Sequence, residues 1–335
     1  MRRKNRKLSI DFRSLPAAKL TFVEPMLAKL TNHLPVTDGW LYEIKLDGYR
    51  ALAIKKDGRV TLYSRRGNKL NARFPAIARA FDFLPDNTAI DGEVVALDEK
   101  GRPSFSTLQN SLTRGGALYF YAFDIVACER KDTRRIALEA RRELLESLLE
   151  NAFDPVRMSA SFADSPARLM AAVRKSGLEG IVAKRPKSLY ESGERSGAWL
   201  KYKTNKGQEL VVGGYKPGSN GFEYLLVGYY EGNDLLFVAK IKNGFTPLLR
   251  RKVAAGFRGL ETSRCPFANL PEPKNARRGE ALTKEVMKEM RWLRPKLVAQ
   301  IEFTEWTQAN HLRHSKFIAL RDDKNARDVR RESDN

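Results

Sequence analysis

A chain of 335 residues with 42% hydrophobic and 10% aromatic residues has material for about two domains, each with its own core, which excludes a disordered polycation. Lys+Arg 61 against Asp+Glu 40 leaves a formal charge of +21, more than solubility needs. That excess points to a polyanionic partner, nucleic acid foremost, with ribosome association or a generally basic proteome as its other sources, while two distant cysteines, Cys128 and Cys265, support neither a disulfide framework nor a cysteine-rich zinc site.

The opening "MRRKNRKLSIDFRSL" is basic, with no apolar h-region behind it. Residues 1–20 are expected to form a tail, either an arm that tracks phosphates or a solvated end. No uninterrupted apolar run of about 18 residues occurs, so a cytoplasmic protein without a membrane span is expected. "WLYEIKLDGYRALAIKKDGRVTLYSRRG" alternates apolar and polar residues and predicts three strands, with turns at Asp47-Gly48 and Asp57-Gly58. Lys45 lies in this stretch between acidic neighbours. A lysine is nucleophilic only when neutral, roughly one molecule in a few thousand at pH 7 for an ordinary pKa. Burial, a cation or a metal lowers that pKa, and carboxylates pull the other way. The plain alternative is a surface strand ending in an Asp-Gly turn.

"SRRG" at 64–67 offers Arg65 and Arg66 at a strand end, to clamp phosphate or to face solvent. "DGE" at 91–93 reads as a turn entering a strand, with Glu93 available to a ribose hydroxyl or a metal. "TAIDGEVVALDEKG" and "LYFYAFDIVACE" continue the β pattern; "FPAIARAFDFL", "RIALEARRELLESLLENA" and "SPARLMAAVRKSGLEG" are helical, the last with Ser165 as cap. Phe120 and Phe123 fit a core more readily than a stacking platform. In "EGIVAKR" the odd spacing predicts Glu179 and Lys184 on opposite faces of a strand. "WLKYK" keeps Lys201 and Lys203 on one face, where like charges repel unless an anion sits between them.

Near residue 205 the chain changes to short strands with Gly/Asn turns, a helical stretch around 281 to 291, and more strands. A small closed barrel of OB type follows, with the boundary at 205–207. "GGYKPGSNG" lacks a G-K-[ST] ending and reads as turns rather than a phosphate loop. His311 and His314 lack a third ligand nearby, which favours a surface or DNA-facing role over a metal.

Taken in order, K-x-D-G-x-R, S-R-x-G, D-G-E, F-x-x-F-D, E-G-I-V-x-K and W-x-K-x-K resemble the covalent nucleotidyltransferases, and within them the ATP-dependent DNA ligases. "RDDK" at 321–324 matches the R-x-D-K element of that superfamily. "WLRPKLVAQIEFTEWTQANHLRHSKF" at 292–317 is similar to the ligase module of the bacterial end-joining ligases of the LigD type. The resemblance runs from about residue 21 to 324, with Ser315 standing where relatives usually carry proline.

The resemblance implies an α+β chain: an adenylation domain of antiparallel sheets flanked by helices (21–204), an OB-fold barrel (205–322) and a charged C-terminal tail (323–335). It implies that Lys45 attacks the α-phosphate of ATP, expels pyrophosphate and carries AMP, with Asp47 orienting it. Glu43 would touch the adenine side, Arg50 and Arg65 would hold ribose or phosphate, and Phe120 would stack on adenine, Phe123 being the second choice. Glu93 would bind ribose or metal, and Glu179 the catalytic Mg2+ or Mn2+. Lys201 and Lys203 would grip the α-phosphate, and Lys184 would be a further phosphate contact. Arg321 and Lys324 would orient the pyrophosphate, which requires the barrel to close for the first step and swing away for DNA. Implied partners are nicked or broken duplex DNA, the bacterial Ku homodimer and a separate polymerase or nuclease, for a monomer working at the nucleoid. An RNA ligase, a capping-type nucleotidyltransferase and a non-catalytic basic DNA-binding module are the alternatives; "EGIVAK" with "FTEWT…LRH" favours the DNA ligase. Its DNA affinity should fall with salt at a slope of about −0.9 per neutralised phosphate.

Overall fold

The computed structural model describes residues 11–36, 39–150, 152–162, 164–204, 207–273 and 281–332; the first ten residues of the tail expected over 1–20 and the last three residues of the sequence lie outside them. The chain divides into two units between Thr204 and Asn205.

The N-terminal unit is built on two sheets. The first runs in the order Arg59–Ser64, Tyr49–Lys56, Thr88–Ala96, Leu118–Cys128, Lys131–Asp132, with Val156–Met158 parallel to Leu118–Cys128. Its first hairpin closes through Asp57 (φ 50°) and Gly58 (φ 69°), the left-handed pair that a two-residue hairpin turn demands. The second sheet runs Lys29–Leu30, Trp199–Lys203, Gly180–Lys184, Leu41–Lys45, Ser161–Phe162. Helix Pro166–Lys175, capped by the Ser165 side chain, packs Leu169 and Val173 on the outer face of that sheet against Tyr42, Ile181, Ala183 and Tyr202. Strand alternation then turns Glu43, Lys45, Lys184, Trp199, Lys201 and Lys203 to the inner face. There Trp199 joins Phe123, Leu52 and Ile54 of the first sheet in one apolar cluster.

Three expectations need correction here. "DGE" is no turn: Asp91, Gly92 and Glu93 lie inside the continuous strand Thr88–Ala96. Gly92 is required by a close approach, since a Cβ there would stand 2.2 Å from the Phe120 ring and 2.6 Å from the Tyr121 carbonyl. Gly92→Ala should therefore cost about 1–3 kcal/mol by overpacking, read as a lower melting temperature. Nor is the segment before residue 21 all tail. Phe12 is buried, Ala17 bridges Lys131, and the Lys131 ammonium donates to Leu15 O at 2.8 Å, so apolar burial ties residues 12–17 to the first sheet. At the other end Ala326 and Val329 are buried in the C-terminal core and Tyr230 N donates to Val329 O at 2.9 Å, so the expected charged tail is mostly docked chain.

The C-terminal unit is an antiparallel sheet ordered Asp234–Ile241, Tyr224–Glu231, Gly207–Lys216, Arg291–Glu302, with Glu261–Thr262 and Lys316–Leu320 both on Arg291–Glu302. Register breaks at Val212/Gly214, Val227/Gly228 and Gln300/Ile301 supply the bulges by which a short sheet curls around its own core. The helix expected around 281 to 291 shrinks to Lys284–Met287, because Arg291 already begins a strand. His311 does not face DNA freely: Nδ1 lies 3.1 Å from Val238 O and Nε2 3.0 Å from the buried Glu272 carboxylate.

Candidate active site

Lys45 is the last residue of its strand, opposite Gly180, and its Nζ lies 2.5 Å from Oε1 of Glu179. About a fifth of the lysine side chain, 21%, remains accessible. Burial works against the ammonium, but the Glu179 carboxylate, aided by Asp47 and Glu93, outweighs it and raises the pKa above the ordinary lysine value. The resting nucleophile is thus charged and held in place. Asp47 acts on it through space; Oδ2 of Asp47 accepts from Phe105 N at 3.0 Å, at the start of helix Phe105–Arg114.

The expected opposite placement of Glu179 and Lys184 is overturned. Glu179 pairs with Lys45 and Lys184 with Glu43, two residues apart on the same face of one strand. Alternation fails because Glu179 precedes the strand, which begins at Gly180, and its side chain is free of the pleat. Lys203 and Lys45 are the two register partners of Gly180, so the row across three strands reads lysine, glycine, lysine with no side chain in the middle. Lys201 stands in the next row, opposite Val182, which in turn faces Glu43. Lys45, Lys201 and Lys203 therefore stand together on the inner face that also carries Lys184. The other oxygen of Glu179, Oε2, is buried without a partner among the described residues.

Arg50, from the first sheet, forks onto Asp91 through Nε at 2.8 Å and Nη2 at 2.6 Å, and Nη2 also donates to Met26 O at 3.0 Å. Burial opposes its charge and Asp91 restores it, leaving a firmly held cation. Tyr190 completes the group: its hydroxyl donates to Asp91 Oδ2 at 2.6 Å and accepts from Met26 N at 3.1 Å. Glu93 is the register partner of Arg50 on the neighbouring strand, two residues on from Asp91 and on the same face. Arg65 is exposed in the turn after Ser64.

Three assignments change in this region. Phe120 is fully buried with its ring edge-on to Phe81 at 4.8 Å, so it has no face for adenine. Phe123 is the aromatic on the site wall, 4.9 Å from the Arg50 guanidinium, 4.6 Å from the Lys184 ammonium and 6.3 Å from the Trp199 ring. The two phenylalanines are three residues apart on one strand, so alternation turns them to opposite faces of the first sheet. Lys184 is not placed for phosphate either. It is 2% accessible, lies 2.9 Å from both oxygens of Glu43, and burial lowers its pKa. Arg142 Nη1 reaches the same carboxylate at 2.6 Å and Ser159 Oγ at 3.2 Å. Those four contacts fill the four lone-pair positions of Glu43, which is a charge keystone here rather than an open acceptor for a base.

Arg321 and Lys324 belong to the C-terminal unit. Arg321 forks onto Asp323 at 2.8 Å through two nitrogens, and Lys324 lies 3.0 Å from Glu209. Asp91, Tyr190, Arg142, Ser159 and Trp199 escape a reading of the sequence as site residues. Asp91 could have been found, because a strand reading of "DGE" puts it on the face of Glu93. Arg142, Ser159 and Tyr190 carry no local signal, since each meets its partner across about a hundred residues or more.

Residues 25–203 match the family model described as the ATP dependent DNA ligase domain, and residues 218–324 match the ATP dependent DNA ligase C terminal region. The chain is 36% identical over 318 residues to the multifunctional non-homologous end joining protein LigD of Pseudomonas aeruginosa, covering 92% of this chain and 36% of that protein. The LigD of Mycolicibacterium smegmatis is 34% identical over 297 residues, covering 87% of this chain and 37% of its own length. The chain thus spans about a third of the length of these two relatives. A solved mycobacterial DNA ligase D complexed with ATP and MES aligns with a TM-score of 0.69 at 32% identity, covering 92% of this chain and 98% of that one. Lys45 and Glu179 paired on an inner face lined by Lys201 and Lys203 sit within the matched region, and the chain belongs to the ATP-dependent DNA ligases.

Proposed function

We propose that this chain seals breaks in duplex DNA by carrying AMP on Lys45. The observation that carries the reading is the Lys45–Glu179 pair at 2.5 Å beside Lys203 and Lys201. Lys45 loses its proton, with Glu179 the acceptor in reach. Its Nζ then bonds to the α-phosphorus of ATP as the bond to the bridging oxygen breaks, and pyrophosphate leaves with that electron pair. Lys201 and Lys203 offset the charge gathering on the α-phosphate. The Nη1 side of Arg50 and Arg65 face ribose or phosphate, Glu93 faces ribose or the metal, and Phe123 offers a ring to adenine. Arg321 and Lys324 serve the pyrophosphate end. AMP passes next to a 5′-phosphate, and the 3′-hydroxyl attacks that phosphate, seals the strand and releases AMP.

The orphaned Oε2 of Glu179 fits a divalent cation, with Glu93 as a second carboxylate. Among the described residues no group of three or more acidic, histidine or cysteine side chains could cage a metal, which suits Mg2+ or Mn2+ held largely by substrate phosphates. Such an ion, when bound, screens the triphosphate and lowers the pKa of the neighbouring amine. End joining, as the LigD relatives are named for, is the pathway we assign, with bacterial Ku and a separate polymerase or nuclease as partners and the chain acting as a monomer at the nucleoid. No helix of the described residues is long and apolar enough to cross a membrane.

Incubation with labelled ATP or labelled GTP, followed by denaturing electrophoresis, tests the reading; a band from ATP that chases into a sealed nick supports it, and a band from GTP alone removes it. Because Glu179 raises the Lys45 pKa, the neutral fraction is small at neutral pH and grows about tenfold per pH unit below that pKa. Single-turnover adenylylation at saturating ATP should thus keep climbing above pH 8 without a plateau. A flat profile from pH 6.5 to 9 contradicts a nucleophile still charged in the ATP-bound state and assigns the loss of its proton to the bound ion.

A further inference from the structure

We propose that residues 325–332 form a strap that positions Arg321 and Lys324, with Val329 as its anchor. The inference rests on the reading that those two side chains act in the ATP-dependent first step. Upstream, they are held by strand Lys316–Leu320, and Arg321 N donates to Val298 O at 2.7 Å. Downstream the hold is the strap itself. One 3-10 turn, Ala326–Asp328, is capped by Asn325, and Ala326 and Val329 enter the core of the unit. Tyr230 N donates to Val329 O at 2.9 Å, and Gln208 bonds twice, Nε2 to Arg330 O at 3.4 Å and Oε1 from Glu332 N at 3.1 Å. Gln208 precedes Glu209, the partner of Lys324, so one strand segment holds both the lysine and the strap.

The strap's arginines add a second set of contacts. Arg327 lies 4.7 Å and Arg330 5.9 Å from the Tyr230 ring. Arg331 lies 4.5 Å from the Trp306 ring and donates to Asn310 Oδ1 at 2.7 Å, while Asn310 Nδ2 donates to Tyr229 OH at 2.7 Å. The strap thereby fastens strand Tyr224–Glu231 and the small hairpin of Glu305–Trp306 and Leu312–Arg313 to the run at 321–324. If it were undocked, residues 321–324 would lose their downstream anchor, and two long cationic side chains would lose their fixed backbone. Val329 touches no substrate in this scheme; it is a positioning residue.

The test uses the full chain with Val329→Ala, Val329→Ile and Arg321→Ala, comparing AMP transfer from ATP with sealing of a pre-adenylated nicked duplex, and recording melting temperature. Val329→Ala should slow the ATP step about tenfold and leave pre-adenylated sealing within about twofold, with Val329→Ile restoring the ATP step. Equal loss in both steps with a lower melting temperature means that the strap only holds the fold, and overturns the proposal. Unchanged ATP transfer in Val329→Ala overturns it as well. The third variant separates the two readings: normal ATP transfer in Arg321→Ala removes the role of the arginine itself, whereas a defective Arg321→Ala beside a normal Val329→Ala removes only the strap.

Discussion

Lys45→Ala should lose all transfer of AMP from ATP to the protein, while its affinity for nicked duplex DNA stays within a few-fold. The split follows from where the residue sits. Its ammonium pairs with Glu179 at 2.5 Å, so removing it deletes the bond-forming atom, whereas a formal charge of +21 remains +20 and the electrostatic attraction to phosphates barely changes. Lys45→Arg should be equally inactive, because a guanidinium keeps the pairing charge yet stays protonated at any working pH. A denaturing gel with labelled ATP reads the first quantity and a gel-shift titration the second. Normal adenylylation of either variant would show that another amine is the nucleophile.

The second large effect is on stability. Glu43→Ala leaves the Lys184 ammonium and the Arg142 guanidinium facing each other on the site wall, both buried and both deprived of their shared carboxylate. Removing one partner of a buried ion pair typically costs about 3–5 kcal/mol. For a unit of this size that corresponds to a fall in melting temperature on the order of 10 °C. Burial already lowers the Lys184 pKa, so the lysine can shed its proton in the variant, which limits the loss. Glu43→Ala combined with Lys184→Met should recover part of the fall, since the second change removes one of the stranded cations. Calorimetry of the three proteins decides the matter. A Glu43→Ala melt unchanged within about 1 °C would rule out the keystone role, given the size expected of a broken buried pair.

These two residues also mark how far the amino-acid order reaches. Lys45, the Asp57-Gly58 turn, the paired lysines Lys201 and Lys203, the Ser165 cap and the change of character near residue 205 were all legible in the chain. Each is a local matter: side-chain alternation, turn chemistry and spacing along a few residues decide it. The ordered series of short motifs carried the family for the same reason, as every element is contiguous.

What only the tertiary structure decided concerns partners far apart in sequence. Glu43 meets Lys184 and Arg142 across 141 and 99 residues, and no local pattern shows that three charges will share one buried point. Odd spacing in "YFYAFD" already parts Phe120 from Phe123, but which of the two lines the site turned on Phe81, which fills the side that Phe120 faces. Glu179 escaped the alternation rule because the strand starts one residue later, a boundary set by pairing with Lys45 and Lys203. Residues 326 and 329 looked like part of a charged end until the core of the C-terminal unit took in their apolar side chains. Local sequence sets what a segment can be; burial and ion pairing, which depend on neighbours brought in by the fold, set what each side chain does there.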